Sequence, residues 1–297
     1  MSDKLKAHLA VLFANIFFGI NYISIKLIVP SKLSPLALNM CRVVGSSLFF
    51  WILYLLKPSK PGILKKDIPR FVTCAVLGVF LNQSLFVKGL SLTSSIHASL
   101  LSLVTPILII FIAAWLLKER ITLLKIAGVA AGIAGAVILI VMKDMSHTAT
   151  NIVLGDVLVI LNAIAYAFYL VLVRPLMQVY SPVHVIRWVF TIGMIFMVPF
   201  CWHDFTTTQW QHFTTANWFC LFFVVSGATF FAYLFNIYGI AVIGASATGA
   251  YIYTQPVFAA LIAIAFTGET YDWIKLFAAV LIFSGVYMVN YKPGLTQ

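Results

Sequence analysis

Charge is scarce in this chain. Of 297 residues, 19 are Lys or Arg and 8 are Asp or Glu, 9% in all, against about 25% in a soluble domain. Only two are glutamates, Glu119 and Glu269. The shortage excludes a water-covered surface, and a mean hydropathy of +1.04 agrees. Cysteine is scarce too. Cys41, Cys74, Cys201 and Cys220 lack C-x-x-C spacing, which argues against a disulfide framework or a zinc site and leaves them as small apolar side chains. H-E-x-x-H, G-x-S-x-G and a paired mid-membrane carboxylate are absent, and with them the sequence grounds for a membrane-embedded enzyme. No low-complexity linker divides the chain, and the loops are too short for a partner-binding scaffold.

What remains is apolar: 62% of the residues are hydrophobic. A membrane-spanning helix needs about 20 apolar residues, and ten such stretches fit, near 7–29, 35–56, 68–89, 94–117, 122–142, 153–173, 182–202, 216–239, 245–267 and 272–291. Turn residues separate them: Pro30-Ser31, Pro58, Pro61-Gly62, Ser94-Ser95, Ser181-Pro182, Gly244 and Gly268. The runs are continuous, as in Ala127–Val141, whereas barrel strands would alternate apolar and polar residues. The first run has no A-x-A-like cleavage site and is expected to be a retained span.

The net charge of +11 would suggest nucleic acid in a soluble protein; here it follows membrane orientation. With a cytoplasmic amino terminus, Lys4, Lys6, Lys57, Lys60, Lys65, Lys66, Arg70, Lys118, Arg120, Lys125, Arg174 and Lys292 lie inside. Lys32, Lys88, Lys143 and Lys275 lie outside. Positive charge favours the cytoplasmic side, so both termini are expected to be cytoplasmic. Lys26, Arg42 and Arg187 fall within spans. Lys26 and Arg187 are expected to snorkel to the interfaces. Arg42, deep in the second span, needs a carbonyl, a polar side chain, water or an anionic ligand.

The chain also repeats. A shift of 150 residues superposes Glu119 on Glu269, Pro106 on Pro256, Lys125 on Lys275, Gly89 on Gly239 and Gly135 on Gly285. A shift of 147 superposes Asn15 on Asn162, Tyr22 on Tyr169 and Ser34-Pro35 on Ser181-Pro182. The expected units, 1–145 and 146–297, then hold five spans each. Five is odd, so the second unit is inverted relative to the first, a construction common in secondary transporters.

Thr105-Pro106 through Leu116-Leu117-Lys118-Glu119-Arg120 to Gly128 and Gly135 resembles the EamA-type repeat, as does Gln255-Pro256 through Gly268-Glu269 to Gly285. Asn15 to Gly19, Ser34-Pro35 and Arg42 resemble its front. The resemblance implies the drug/metabolite transporter superfamily: all-α membrane carriers of ten transmembrane helices, many of which export amino acids or related metabolites. It departs at Tyr166, which stands where the first copy has Gly19, and at Arg187, two positions out of register with Arg42.

Polar residues inside apolar spans mark candidate positions, because lipid satisfies none of them. Helical spacing puts Asn15, Gly19 and Tyr22 on one face of the first span, and Asn162, Tyr166 and Tyr169 on the matching face of the sixth. Asn82, Asn236, Tyr251 and Gln255 add amides and a phenol, with Gln83, Thr229, Tyr233 and Thr248 nearby. Such residues either line a water-filled cavity or bond helix to helix. The substrate set is Asn15, Tyr22, Asn82, Asn162, Tyr166, Tyr169, Asn236, Tyr251 and Gln255. Arg42, Pro106, Pro256, Glu119 and Glu269 are gating or structural residues: the prolines as kinks or hinges, the glutamates at the positive ends of following helices. Gly128, Gly132 and Gly135 suggest close helix packing. No carboxylate lies at obvious mid-depth, which favours uniport or exchange over tight proton coupling. No metal or cofactor is expected. The partners are a small-molecule substrate and the bilayer, not nucleic acid; the sequence is silent on oligomeric state. Amides, hydroxyls and tyrosine rings suit a neutral or zwitterionic solute such as an amino acid or a derivative, and the resemblance implies export. Aromatic rings leave a broad-specificity exporter of amphipathic drugs as the alternative.

Overall fold

Inside a bilayer every backbone N–H and C=O has to find its partner within the protein, and these apolar runs do so as helices. The computed structural model describes residues 2–29, 31–56, 62–93, 98, 101–141, 151–255, 257–258, 261 and 273–291; among these the regular structure is entirely helical. The first helices are α1 (Asp3–Ile28), α2 (Pro35–Leu56), α3 (Ile68–Ala75), α4 (Asn82–Leu92), α5 (Val104–Leu117) and α6 (Leu123–Val141). They are followed by α7 (Ile152–Leu172), α8 (Pro182–Thr206), α9 (Thr215–Val225), α10 (Ala232–Ile243), α11 (Ala245–Ala250) and α12 (Trp273–Asn290). Among the described residues, six stretches are long and apolar enough to cross a membrane: α1, α2, Lys65–Leu92, Ile152–Gln178, α8 and Thr215–Ile243. They match the first, second, third, sixth, seventh and eighth expected spans. Val104–Leu117, Leu123–Gly135 and Leu276–Asn290 are shorter apolar helices.

Polar caps set the ends. Ser2, Asn151 and Ser181 accept hydrogen bonds from the first-turn amides of Leu5, Leu154 and His184 at 3.3, 3.1 and 3.3 Å; Thr214 and Asn217 form a reciprocal capping box. At the other ends, α5 stops on Lys118 at φ 54° and α10 on Gly244 at φ 92°. The second of these is a conformation that favours glycine.

Two long spans are not uniform α-helix. Val76–Leu81 joins α3 to α4 as a π-helical turn, and Ser226–Phe231 joins α9 to α10 in the same way. Each π turn widens the helix and frees backbone groups for other partners. Their starts are 150 residues apart, which is the longer offset of the sequence repeat.

Helices α1 and α10 pack together, as do α4 and α7, α2 and α8, and α6 and α12; α5 packs on α7 and α11. The main core joins Phe50, Phe71, Phe190, Phe230 and Tyr233, all buried. Outward faces are apolar instead. Leu123 is 86% exposed, and Leu56, Trp115, Val153, Phe219 and Trp273 are exposed as well. Water would penalise such a surface; lipid is its natural solvent, with Trp115, Trp202 and Trp273 near helix ends where interfacial tryptophans collect.

Arg187 does not snorkel. It is 1% exposed, and its guanidinium carbon sits 3.6 Å from the Tyr54 ring centroid and 4.7 Å from that of Trp51. Its Nη2 lies 3.3 Å from Nδ1 of His184. The electron-rich ring faces substitute for the water the cation has lost. Lys26 donates to the Thr93 carbonyl at 3.1 Å.

Candidate functional site

A cavity of about 80 Å³ opens between the helices. A water needs roughly 10–15 Å³ by this measure, so the space takes several waters or part of a small solute. Asn21 and Tyr22 reach it from α1, Arg42 from α2, Asn82 and Phe86 from α4, and Thr105 from α5. From the second half come Asn162 and Tyr166 of α7, Tyr233 of α10, and Gln255.

The π turns help to place this polar ring. Asn82 follows the first turn directly, and its backbone carbonyl accepts from Asn162 Nδ2 at 2.8 Å. Its side-chain Oδ1 accepts from the Tyr233 hydroxyl at 2.9 Å, with the carbonyl of Gly78, inside the π turn, 3.1 Å from the same hydroxyl. Thr229 belongs to the second π turn. Its hydroxyl donates to the Val224 carbonyl at 2.7 Å and accepts from Arg42 Nε at 3.0 Å. Arg42 thus has a polar side-chain partner, but its Nη1 is buried without one.

Five of the nine expected substrate residues line the cavity: Tyr22, Asn82, Asn162, Tyr166 and Gln255. Two stand one bond behind. Asn15 donates to its own helix at the Val11 carbonyl and accepts from Gln255 Nε2, both at 2.8 Å. Asn236 donates to the Tyr166 hydroxyl oxygen at 2.8 Å. The other two are not among the described residues that line the cavity. Tyr169 is buried against Gly78, whose position a β-carbon would contest with the tyrosine ring, and its hydroxyl is unpartnered. Tyr251 pairs its hydroxyl with His8 Nδ1 at 2.9 Å. Helical spacing put Tyr169 with Asn162 and Tyr166, and its ring does stack on that of Tyr166, with centroids 6.1 Å apart, but it is not among the described residues that line the cavity.

Of the expected structural residues, Pro106 lies in the first turn of α5, just after an interruption at Leu103. A proline ring there cannot donate to the carbonyl four residues earlier, and the break delivers neighbouring Thr105 to the cavity. Glu119 lies outside the cavity. It accepts from Ser246 Oγ at 2.7 Å and Lys125 Nζ at 3.4 Å, and pairs with Arg174 Nη1. Its carboxylate therefore ties together the segments before α6, after α7 and in α11, beyond any favourable contact with a helix end. Pro256 and Glu269 lie outside the described residues.

Sequence reasoning missed Asn21, although it lies in an otherwise apolar span, because it is off the Asn15–Tyr22 face. It named Thr229 and Tyr233 only as neighbours, and nothing in a hydropathy profile signals a π turn.

Apolar helices around a shared polar cavity define a membrane carrier. The EamA-like transporter family matches residues 5–141 and again 153–291, and the chain belongs to that family. It is an integral membrane protein. A transporter of Archaeoglobus fulgidus described as uncharacterized is 25% identical over 97% of this chain and 98% of its own. A protein of Streptantibioticus cattleyicolor named a probable terminal-alkyne amino-acid exporter is 26% identical over 76% of this chain and 74% of its own. One solved crystal structure superposes with a TM-score of 0.77 at 19% identity, covering 97% of this chain and 96% of that one, a likeness of fold.

Proposed function

We propose that this protein exports a small neutral or zwitterionic organic metabolite, an amino acid or a derivative, across the bacterial inner membrane by alternating access. The observation that carries the reading is the single cavity to which Tyr22, Arg42 and Asn82 from the first half and Asn162, Tyr166, Tyr233 and Gln255 from the second contribute. Amides, phenols and a hydroxyl recognise a polar head, while Phe18 and Phe86 offer apolar surface to the remainder. The name of the Streptantibioticus relative points the same way.

Units of residues 1–145 and 146–297, five spans each and oppositely inserted, are the basis of the alternation in this reading. The packing supports them. Exchanging the first five spans for the last five turns the α1–α10 pair into the α7–α4 pair and returns the α2–α8 and α6–α12 pairs to themselves. Two inverted copies give inward-open and outward-open arrangements similar energies around one site.

Counterflow into liposomes preloaded with each of the twenty common amino acids tests the proposal. Uptake of labelled solute by reconstituted protein, and none by empty vesicles, is the expected result; no uptake with any of them would refute it. The aromatic lining of Phe18, Phe86, Tyr22, Tyr166 and Tyr233 favours one second reading, a broad exporter of amphipathic drugs. Ethidium efflux comparable to amino-acid counterflow would select it.

A further inference from the structure

We propose that Arg42 is the receptor for a carboxylate on the transported solute, so that the cavity selects monocarboxylic compounds and rejects organic cations. The inference rests on the reading of the cavity as the substrate site and names what that site requires of its ligand.

Arg42 is 3% exposed and lines the cavity. A guanidinium stays protonated in proteins, so this charge is permanent wherever the helix puts it. One edge is held in place: Nε donates to Thr229 Oγ1 at 3.0 Å, and that hydroxyl is itself spent on the Val224 carbonyl. Nη1 is buried and has no partner. The described residues lining the cavity include no Asp, Glu or Lys. Among the described residues the cavity lining therefore presents one fixed positive charge and no anion to balance it. Breaking or omitting the partner of a buried charge is costly, and a carboxylate entering the cavity would make good the deficit with a charge-assisted hydrogen bond.

A second orphan belongs to another residue that lines the cavity. Asn21 is 2% exposed, and its side-chain Oδ1 is buried without a donor. Two residues that line one space, one with an unmet cationic donor and one with an unmet neutral acceptor, suit a zwitterion: carboxylate to Arg42, ammonium to Asn21. The two ends are not equivalent. Only the carboxylate meets a formal charge, so removing it costs far more than removing the amine, and a positively charged ester or amine meets Arg42 with repulsion. Phosphorylated solutes would call for several basic groups, and the cavity has one.

The test is direct binding to the purified full-length protein in detergent, by calorimetry and thermal shift. The probes are the twenty common L-amino acids, 3-phenylpropanoate, 2-phenylethylamine and the methyl ester of each acid that binds. Acids are expected to bind, with each ester at least 10-fold weaker than its acid and 2-phenylethylamine weaker than 3-phenylpropanoate. Arg42→Gln should lower affinity for the acids at least 10-fold and should not weaken that for the esters; Arg42→Lys should recover part of the loss. Esters as tight as acids, an Arg42→Gln variant with undiminished acid affinity, or no acid bound at all would each overturn the proposal. Should Arg42→Gln fail to fold, the comparison of acid with ester on the native protein still decides it. Carboxylate-dependent binding without counterflow would leave this inference standing and remove the transport reading. Equal counterflow of acid and ester would do the reverse.

Discussion

Gly128 and Gly285 face each other across the α6–α12 contact: a β-carbon on Gly128 would stand 2.6 Å from the Gly285 carbonyl oxygen, and one on Gly285 would stand 2.5 Å from that of Gly128. Neither neighbour is a flexible side-chain end that can swing aside. Gly128→Val is therefore expected to push the two helices apart at a cost of roughly 1–3 kcal/mol, the range for overpacking a close contact. Gly62, with open space around its β-position, is the control, and Gly62→Ala should leave the melting temperature in detergent unchanged. Equal melting of the two variants would contradict the packing argument.

Tyr166 and Tyr169 share a helix and should respond in opposite ways to loss of the hydroxyl. The Tyr166 oxygen accepts from Asn236 beside the cavity, so Tyr166→Phe orphans an amide and should weaken substrate binding roughly 2- to 12-fold, the equivalent of about 0.5–1.5 kcal/mol. Asn162→Ala, which removes a 2.8 Å bond to the Asn82 carbonyl, should fall in the same range. Tyr169→Phe deletes a buried hydroxyl that has no partner and should be neutral or stabilising by up to about 1 kcal/mol. Binding and melting measured on all three variants, normalised to folded protein, check the set. A Tyr169→Phe affinity loss as large as that of Tyr166→Phe would return Tyr169 to the cavity.

Glu119 gathers Lys125, Arg174 and Ser246 and is not among the described residues that line the cavity, which makes it a brace. Glu119→Gln should lower stability by about 1–3 kcal/mol, between the values for exposed and buried pairs, because the carboxylate is 18% exposed. Transport per folded molecule should change less, and downhill exchange should proceed without an imposed proton gradient. Strict dependence on such a gradient, abolished by Glu119→Gln, would identify the carboxylate as a coupling group instead.

Orientation rests on the imbalance of Lys and Arg between alternate loops. After replacement of the four free cysteines, single cysteines at Lys65 and Lys118 should resist a membrane-impermeant thiol reagent in intact cells. Those at Lys32 and Thr207 should react. The inverse pattern would overturn the cytoplasmic termini, and labelling of the sites at Lys65 and Thr207 from the same side would overturn the inverted repeat.

Hydropathy alone carried the helical class and the positions of α1, α2 and α8, because lipid as a solvent acts on each residue of a run independently. Caps were legible for the same local reason: Ser181 needs only the amide three residues on. Asn162 and Tyr166 could be placed on one face by helical period. Tyr251 could not be placed, since its partner His8 is 243 positions away. Arg187 was expected to snorkel and is buried instead, because aromatic neighbours that the linear sequence does not place beside it, Trp51 and Tyr54, come from α2.

The chain's order of apolar and polar residues was thus sufficient for an all-helical membrane protein with a repeated pattern and a short roster of polar positions. Which of those positions meet was decided only in three dimensions. Two π turns alter the helical phase at Val76–Leu81 and Ser226–Phe231, and the glycine at 78 leaves room for the Tyr169 ring. Thr229 then takes one edge of Arg42 and leaves Nη1 unpaired. A hydropathy sum depends on composition over a window. Hydrogen-bond satisfaction depends on pairs of atoms brought within about 3 Å, and residues as far apart as 42 and 229 acquire that relation only when the helices pack.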